Sequence, residues 1–302
     1  MPDVGGLFPA LLSEPLVHPV TPMAWVLWMA AVGACLGSFA NVLAMHWPRR
    51  LKWQWNRDVA DYLERTPASL GLSEDAPPGW FGRRSRCPHC QTVLGWWQLV
   101  PIFSFLMLRG RCHHCGQRIS WRYPAVEMVA AVAFAALAMR QSPDWPVLIQ
   151  ALLLFVLLVL SLIDLDEMLL PDDITLPLMW LGIFHACFIE PATLYDRVVG
   201  AMVGYLSLWL VFHIFRIATG REGMGHGDFK LMAALGAWLG WQALLPIALL
   251  ASVAGSVWGI SLIVIKRADR QQPIPFGPWI ALGGALQVLE LNPVTLWLQV
   301  LA

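Results

Sequence analysis

What most constrains this chain is the recurrence of apolar stretches long enough to cross a bilayer, which takes roughly 17–25 residues as a helix. Candidate spans fall at 24–44, 124–140, 147–163, 174–190, 197–217, 231–247, 248–265 and 275–291. The stretch from Leu231 to Ile265 divides in more than one way, so the expectation is of about eight spans. Composition agrees: 58% of residues are hydrophobic and 13% charged, against about 45–50% and 25% in soluble domains. An all-α polytopic membrane protein is expected, lying in the lipid bilayer. Disorder, a collagen-like fibre and a small disulfide-stapled secreted domain are excluded. The formal net charge is zero, whereas nucleic-acid-binding domains are strongly basic; no nucleic acid is expected as a partner.

Charge distribution sets orientation, because cytoplasmic loops concentrate Lys and Arg. Segment 45–123 holds 12 of the 20 basic residues and 5 acidic ones, a balance of +7, leaving −7 on the rest. That segment is therefore read as cytoplasmic. Threading eight spans from it puts Arg216, Arg221 and Lys230, then Lys266, Arg267 and Arg270, on the same side, with Arg140 and Arg197 opposite. The first 22 residues contain no Lys or Arg and lack the basic start of a cleaved signal peptide. Residues 1–23 are thus expected as an extracytoplasmic tail and 24–44 as a retained first anchor.

Segment 45–123 is too long for a structureless connection and short for an ordinary soluble domain, so it needs a staple. Cys87-Pro88-His89-Cys90 and Cys112-His113-His114-Cys115-Gly116 supply two Cys-x-x-Cys knuckles. Paired knuckles deliver four sulfurs for tetrahedral coordination of a structural Zn²⁺. Disulfides are the weaker reading in a reducing cytoplasm. Redox chemistry is a third, and His89, His113 or His114 could replace a thiolate. Cys35 and Cys187 sit inside spans and read as small apolar residues.

Carboxylates are costly in hydrocarbon, so those at span ends need individual reasons. Asp164 follows the apolar run Val147 to Ile163 and faces the negative end of its own helix, a poor place for a merely structural acid. Asp172 and Asp173 open the next span, where an N-cap role suffices. Asp228 lies in Gly225-His226-Gly227-Asp228-Phe229-Lys230-Leu231 at the start of the sixth span. It reads equally as an N-cap or as a charge whose bracketing glycines permit close backbone approach. Because the fourth and fifth spans form a hairpin that leaves the cytoplasmic side and returns to it, Asp164 and Asp228 both end on that side and can meet. Two carboxylates in one site share a proton, the apparatus of aspartyl proteolysis: the ionised member activates water and the protonated one polarises the peptide carbonyl.

These residues resemble the bacterial type IV prepilin peptidases, the bifunctional leader peptidase/N-methyltransferases of type IV pilus and type II secretion systems, which are peptidase A24-like aspartyl proteases. The resemblance runs from about residue 32 onward. It is carried by Gly37-Ser38-Phe39-Ala40-Asn41-Val42, the two knuckles, Leu108-Arg109-Gly110-Arg111-Cys112, and Ile119-Ser120-Trp121-Arg122-Tyr123-Pro124 with Glu127. Ile163-Asp164 through Leu170-Pro171-Asp172, Gly225 to Leu231 and Pro275-Phe276-Gly277-Pro278 complete it. It implies cleavage of a basic leader from prepilins and pseudopilins, after a Gly and before a residue that is commonly Phe, at the cytoplasmic face of the bacterial inner membrane. It also implies methylation of the new amino terminus with S-adenosylmethionine. Asp164 and Asp228 would be the catalytic pair, supported by Gly225, Gly227 and Lys230. The chain then divides into a four-cysteine zinc-binding, methyltransferase-associated domain at 45–123 and a seven-helix membrane peptidase at 124–302. Where the family often reads Arg-Leu-Pro this chain has His46-Trp47-Pro48, and Trp53, Trp55, Trp96 and Trp97 read as interfacial anchors. No Gly-x-Gly-x-x-Gly fingerprint marks a methyl-donor site. Glu127 would contact the methyl-acceptor amine or neutralise Arg122. A transporter with intramembrane carboxylates and a non-catalytic zinc-stapled membrane scaffold are the alternatives.

Overall fold

The computed structural model describes residues 22–73, 75–77, 84–221, 223–265 and 274–301. The expected tail, save its last two residues, lies outside these, as do Lys266, Arg267 and Arg270. The described residues are helical, with two isolated β-bridges, Arg86 to Val93 and Arg111 to Arg118, and no strand. Among them ten α-helices run in order: α1 Pro22–Tyr62, α2 Phe103–Met107, α3 Arg122–Arg140, α4 Trp145–Glu167, α5 Asp172–Phe188, α6 Leu194–Thr219, α7 His226–Leu239, α8 Leu244–Val264, α9 Gly277–Val288 and α10 Pro293–Leu301. Among the described residues five segments are long and apolar enough to cross a membrane: Met23–Tyr62, Arg122–Arg140, Trp145–Glu167, Pro191–Thr219 and Trp241–Val264.

Two boundaries differ from the sequence expectation. The first helix does not stop near residue 44 but continues to Tyr62 through Pro48. The polar stretch from Arg49 onward holds good helix formers, and one proline removes a single intrahelical hydrogen bond without ending the helix. The expected span 231–247 is split: α7 ends at Leu239, and Gly240 turns the chain with φ +82°. Leu239, Gly240 and Trp241 are all apolar, so hydropathy cannot see a break that dihedral angles make.

Among the described residues the chain forms two compact units, one drawn from 22–41 and 84–155, the other from 42–77 and 156–301. In the first, α1 lies close on α3 because Gly33 and Gly37 have no side chains. A Cβ on Gly33 would stand 2.6 Å from the Ala130 carbonyl oxygen, and one on Gly37 2.8 Å from Glu127 Cα. This is the small-xxx-small contact by which helices associate where no hydrophobic effect drives them together. Trp25 Nε1 donates to the Gln141 carbonyl, and Gln141 Nε2 donates to Gln150 Oε1 at 2.7 Å, joining the connection after α3 to α4.

In the second unit α7 is the central element. Asp228, Phe229 and every residue from Leu231 to Trp238 are buried, the pattern of a helix enclosed on all sides. Neighbours reach its backbone at glycines: a Cβ on Gly200 of α6 would collide with the Gly236 carbonyl oxygen, and one on Gly236 with that of Gly200. Gly204 meets the Met232 backbone and Gly182 of α5 that of Ala237 in the same manner, while Gly284 of α9 makes room for the Leu235 side chain. Trp238 Nε1 donates to the Leu178 carbonyl at 2.7 Å, locking α5 in register. Because Gly200 faces backbone rather than a side chain that can move aside, Gly200→Leu should destabilise the protein by about 3 kcal/mol. Its thermal midpoint in detergent should fall, whereas that of Leu245→Ala, changed at a side chain 60% exposed, should hold.

Candidate active site and metal centre

Asp164 sits in the last turn of α4, and Asp228 in the first turn of α7; both are only 5% exposed. The two interact electrostatically, so the structure brings together the pair that the topology allows to meet. Each carboxylate is held by a glycine amide. The Gly277 N–H donates to Asp164 Oδ2 at 3.0 Å, and the Gly225 N–H donates to Asp228 Oδ2 at 3.2 Å. These amides belong to the N-termini of α9 and α7, whose first N–H groups have no partner within their own helix. Asp164, disfavoured by the C-terminus of its own helix, thus faces the positive end of another. Asp228 is not the N-cap. Gly225 is, and Asp228 is the third residue of the helix, reaching back to the cap amide as in a capping box.

Three further contacts shape the surroundings. Gly277 adjoins Asp164 so closely that a Cβ there would lie 2.7 Å from Asp164 Oδ2. A Cβ on Gly227 would lie 2.7 Å from Leu170 Cβ, so the second glycine of the Gly-His-Gly turn is required by Leu170 rather than by a positive φ. Lys230 Nζ donates to both carboxylate oxygens of Asp172, at 2.6 and 2.7 Å. The N-cap expected of Asp172 or Asp173 is instead Pro171, and both acids occupy the first turn of α5, where they complement its dipole.

In the sequence Gly277 is legible only as a member of Pro275-Phe276-Gly277-Pro278, with no role of its own. The signal was its place before Pro278: a Gly-Pro helix start leaves a free amide on a residue with no side chain to obstruct what that amide contacts. At Glu127 the structure shows a contact that neither expectation included. The residue is buried, 7% exposed, and its Oε2 accepts the Ile102 N–H at 2.7 Å, holding a residue whose φ is +61°.

The four knuckle cysteines converge, their sulfurs all within 4.8 Å of one another. Both knuckles share one backbone design. Cys87 N–H donates to the Thr92 carbonyl and Gln91 N–H to the Cys87 carbonyl; Cys112 N–H donates to Gln117 and Gly116 N–H to Cys112. The residue after each second cysteine is left-handed, Gln91 at φ +57° and Gly116 at φ +70°. Zn–S bonds of about 2.3 Å arranged tetrahedrally set sulfurs about 3.8 Å apart, and Cys87 Sγ to Cys115 Sγ is 3.9 Å. Hydrogen bonds with Thr92 draw the Cys90 thiol down to about 6. Backbone hydrogen bonds from Cys115 and His114 lower Cys112. At Cys115 the Gln117 amide is outweighed by burial and the neighbouring sulfurs, which hold it up at about 11. Four thiols this close cannot all ionise unaided, the situation a divalent cation relieves. The donor set and its spacing fit zinc.

Residues 31–141 match the bacterial peptidase A24 N-terminal domain, and 151–260 match the type IV leader peptidase family. A prepilin leader peptidase/N-methyltransferase of Aeromonas hydrophila is 44% identical over 95% of this chain and 98% of its own length. One of Xanthomonas campestris pv. campestris is 43% identical over 84% and 88%, and one of Pseudomonas aeruginosa 38% over 91% and 93%. No solved structure matches. With that identity sustained along nearly the whole of both chains, this protein belongs to the prepilin leader peptidase/N-methyltransferase family.

Proposed function

We propose that this protein is a multi-pass enzyme of the bacterial inner membrane that cuts the basic leader from type IV prepilins and type II secretion pseudopilins at the cytoplasmic face, and then methylates the new amino terminus with S-adenosylmethionine. The observation that carries the peptidase half is the pair Asp164 and Asp228, buried within electrostatic reach of each other on separate helices. One carboxylate, ionised, takes a proton from water as the oxygen attacks the scissile carbonyl; the other, protonated, donates to the carbonyl oxygen as it gains charge. As the tetrahedral diol collapses, the proton taken from water passes to the departing amine and a diol hydroxyl returns its proton to the other carboxylate, so the pair again shares one. The Gly225 and Gly277 amides keep each carboxylate in position without adding a titrating group.

Eight crossings, with the N-terminus outside, complete the proposal. α7, at 14 residues, is about 21 Å long, and its enclosure by its neighbours supports counting it among the eight, the turn that follows it at Gly240 completing its crossing. The charge asymmetry supports the orientation. Of the two basic residues assigned to the outer side, Arg197 is neutralised by Glu190 at 2.8 Å. Cys87, Cys90, Cys112 and Cys115 would hold Zn²⁺, which supplies a structural staple and no reaction step. The methyltransferase half is supported by the names of the relatives, and the knuckle domain is proposed to take part in it.

Asp164→Asn or Asp228→Asn should lower leader cleavage by at least about a thousandfold while the protein still inserts, measured as the gel shift of a prepilin in membranes; normal processing by either variant would defeat the assignment. Gly277→Ala should insert normally yet lose most of its kcat, because the added methyl would displace Asp164. Cys87→Ser combined with Cys90→Ser should bind substantially less zinc by metal analysis of purified protein, and the mass of the processed pilin should show reduced methylation.

A further inference from the structure

Between its two knuckles the chain turns large apolar side chains outward. Trp96 is 81% exposed, and Phe103, Leu106 and Met107 of α2 are each more than half exposed. Positions 103, 106 and 107 share one face of the helix, while Phe105 on the other side is buried against the Trp121 ring, with centroids 4.7 Å apart. Trp121, itself exposed, stands beside α2 immediately before α3. Trp97 points elsewhere, its ring edge-on to His113 of the second knuckle at 5.4 Å, so of the neighbouring tryptophans it is Trp96 that faces out. An apolar surface of this kind on a water-facing domain marks an interaction site.

Charge and height in the fold identify the partner. Residues 76–126 contain seven Arg and no Asp or Glu, and Arg109, Arg111, Arg118 and Arg122 are exposed. Apolar side chains beside an excess of positive charge complement the anionic face of a bilayer, whereas a second copy of the chain would bring the same arginines against them. The bond from the Ile102 N–H to Glu127 Oε2 at 2.7 Å holds the start of α2 beside the second turn of α3. α3, at 19 residues, is about 28 Å long, close to the hydrocarbon thickness of about 30 Å. Glu127 lies about 7 Å along it from Arg122, within the 5–10 Å or so to which interfacial helices sink below the headgroups. Beyond that level α3 exposes Met128, Val129 and Val132, as a lipid-facing flank does, so the surface on α2 continues one already in lipid.

We infer that the knuckle domain is seated in the membrane: the apolar face of α2, with Trp96 and Trp121, enters the cytoplasmic leaflet, and the arginines beside it lie at anionic headgroups. The inference rests on the membrane crossing and orientation proposed above, and not on the peptidase chemistry. The Gly110 N–H donates to the Phe105 carbonyl and the Ile119 N–H to the Gly110 carbonyl, both at 2.8 Å. α2 is thereby joined to the second knuckle, and seating α2 in lipid fixes that knuckle's position relative to the bilayer.

The test uses the unaltered full-length protein in lipid nanodiscs of phosphatidylcholine with a quarter phosphatidylglycerol. A trace of lipid carrying a photoactivated diazirine in its acyl chain is added, and the adducts are mapped by mass spectrometry. Adducts should appear on 96–107 and on α3, and not on 113–118. With the probe on a phosphatidylglycerol headgroup, the yield on 96–107 relative to α3 should be about twofold or more above that with a phosphatidylcholine headgroup. Leu106→Glu combined with Met107→Glu should keep its zinc and its α3 adducts yet lose most of those on 96–107. Adducts on α3 but none on 96–107, with or without cross-links between two copies through that segment, would overturn the inference and leave the membrane crossings standing. Equal yields from the two headgroups would overturn the part given to the arginines, and unchanged labelling of the double variant the part given to α2. Absence of adducts from α3 as well would overturn the proposed crossing and this inference together.

Discussion

A carboxylate at the end of an apolar helix must be supplied with hydrogen-bond donors by the protein, and here the donors are backbone amides at two helix starts, that of α9 for Asp164 and that of its own α7 for Asp228. Gly277 N–H serves Asp164, and Gly225 N–H serves Asp228. Much of the second unit follows from that requirement. α9 has to begin beside the end of α4, α7 has to begin beside both, and α7 has to be surrounded closely enough that its first turn cannot drift. The glycine contacts at Gly200, Gly204 and Gly236 provide this closeness, since they press neighbouring backbone onto backbone with no flexible side chain between. In the proposed mechanism, amides rather than Lys or Arg as partners also leave the pair's shared proton as the only one on these groups that moves.

The features that sequence made legible are those written in residue type at fixed spacing. Apolar runs located the helices because the 20-residue ruler is a property of lipid rather than of this fold. The knuckles predicted convergence of four sulfurs because a Cys-x-x-Cys turn delivers its pair locally and needs only one long-range meeting. Asp164 stood out through an unfavourable helix end, and the structure supplies the compensation that sequence could not: the N-terminus of α9, 113 residues further along the chain.

What sequence missed depends on dihedral angles or on distant contacts. Gly240 breaks an apolar run in the middle, and nothing in Leu239-Gly240-Trp241 distinguishes a turn with φ +82° from another helical residue. The continuation of α1 to Tyr62 was hidden by Pro48 and by the change from apolar to basic composition, which marks a membrane boundary without marking a helix end. Trp55 was read as an interfacial anchor from its residue type, and only the meeting of α1 with the turn after α4 puts it beside a cavity. Asp172 was read as a cap because acids favour helix starts, yet its ion pair with Lys230 joins residues 58 apart in sequence.

The exposed ion pairs differ in kind from the glycine packing. Lys52–Glu167 and Lys230–Asp172 are partly solvated, and such pairs contribute about 0–1 kcal/mol each. They cannot hold the helices together against the cost that a single misplaced methyl at Gly200 would impose. Their value is directional: each ties a turn that borders Asp164 or Asp228 to one neighbouring element. Lys230 fixes the start of α5 against the start of α7, and Lys52 fixes the α1 continuation against the end of α4. The architecture therefore separates two tasks by physical means, with close backbone packing supplying stability and weak surface charges setting the alignment of the turns around the aspartates.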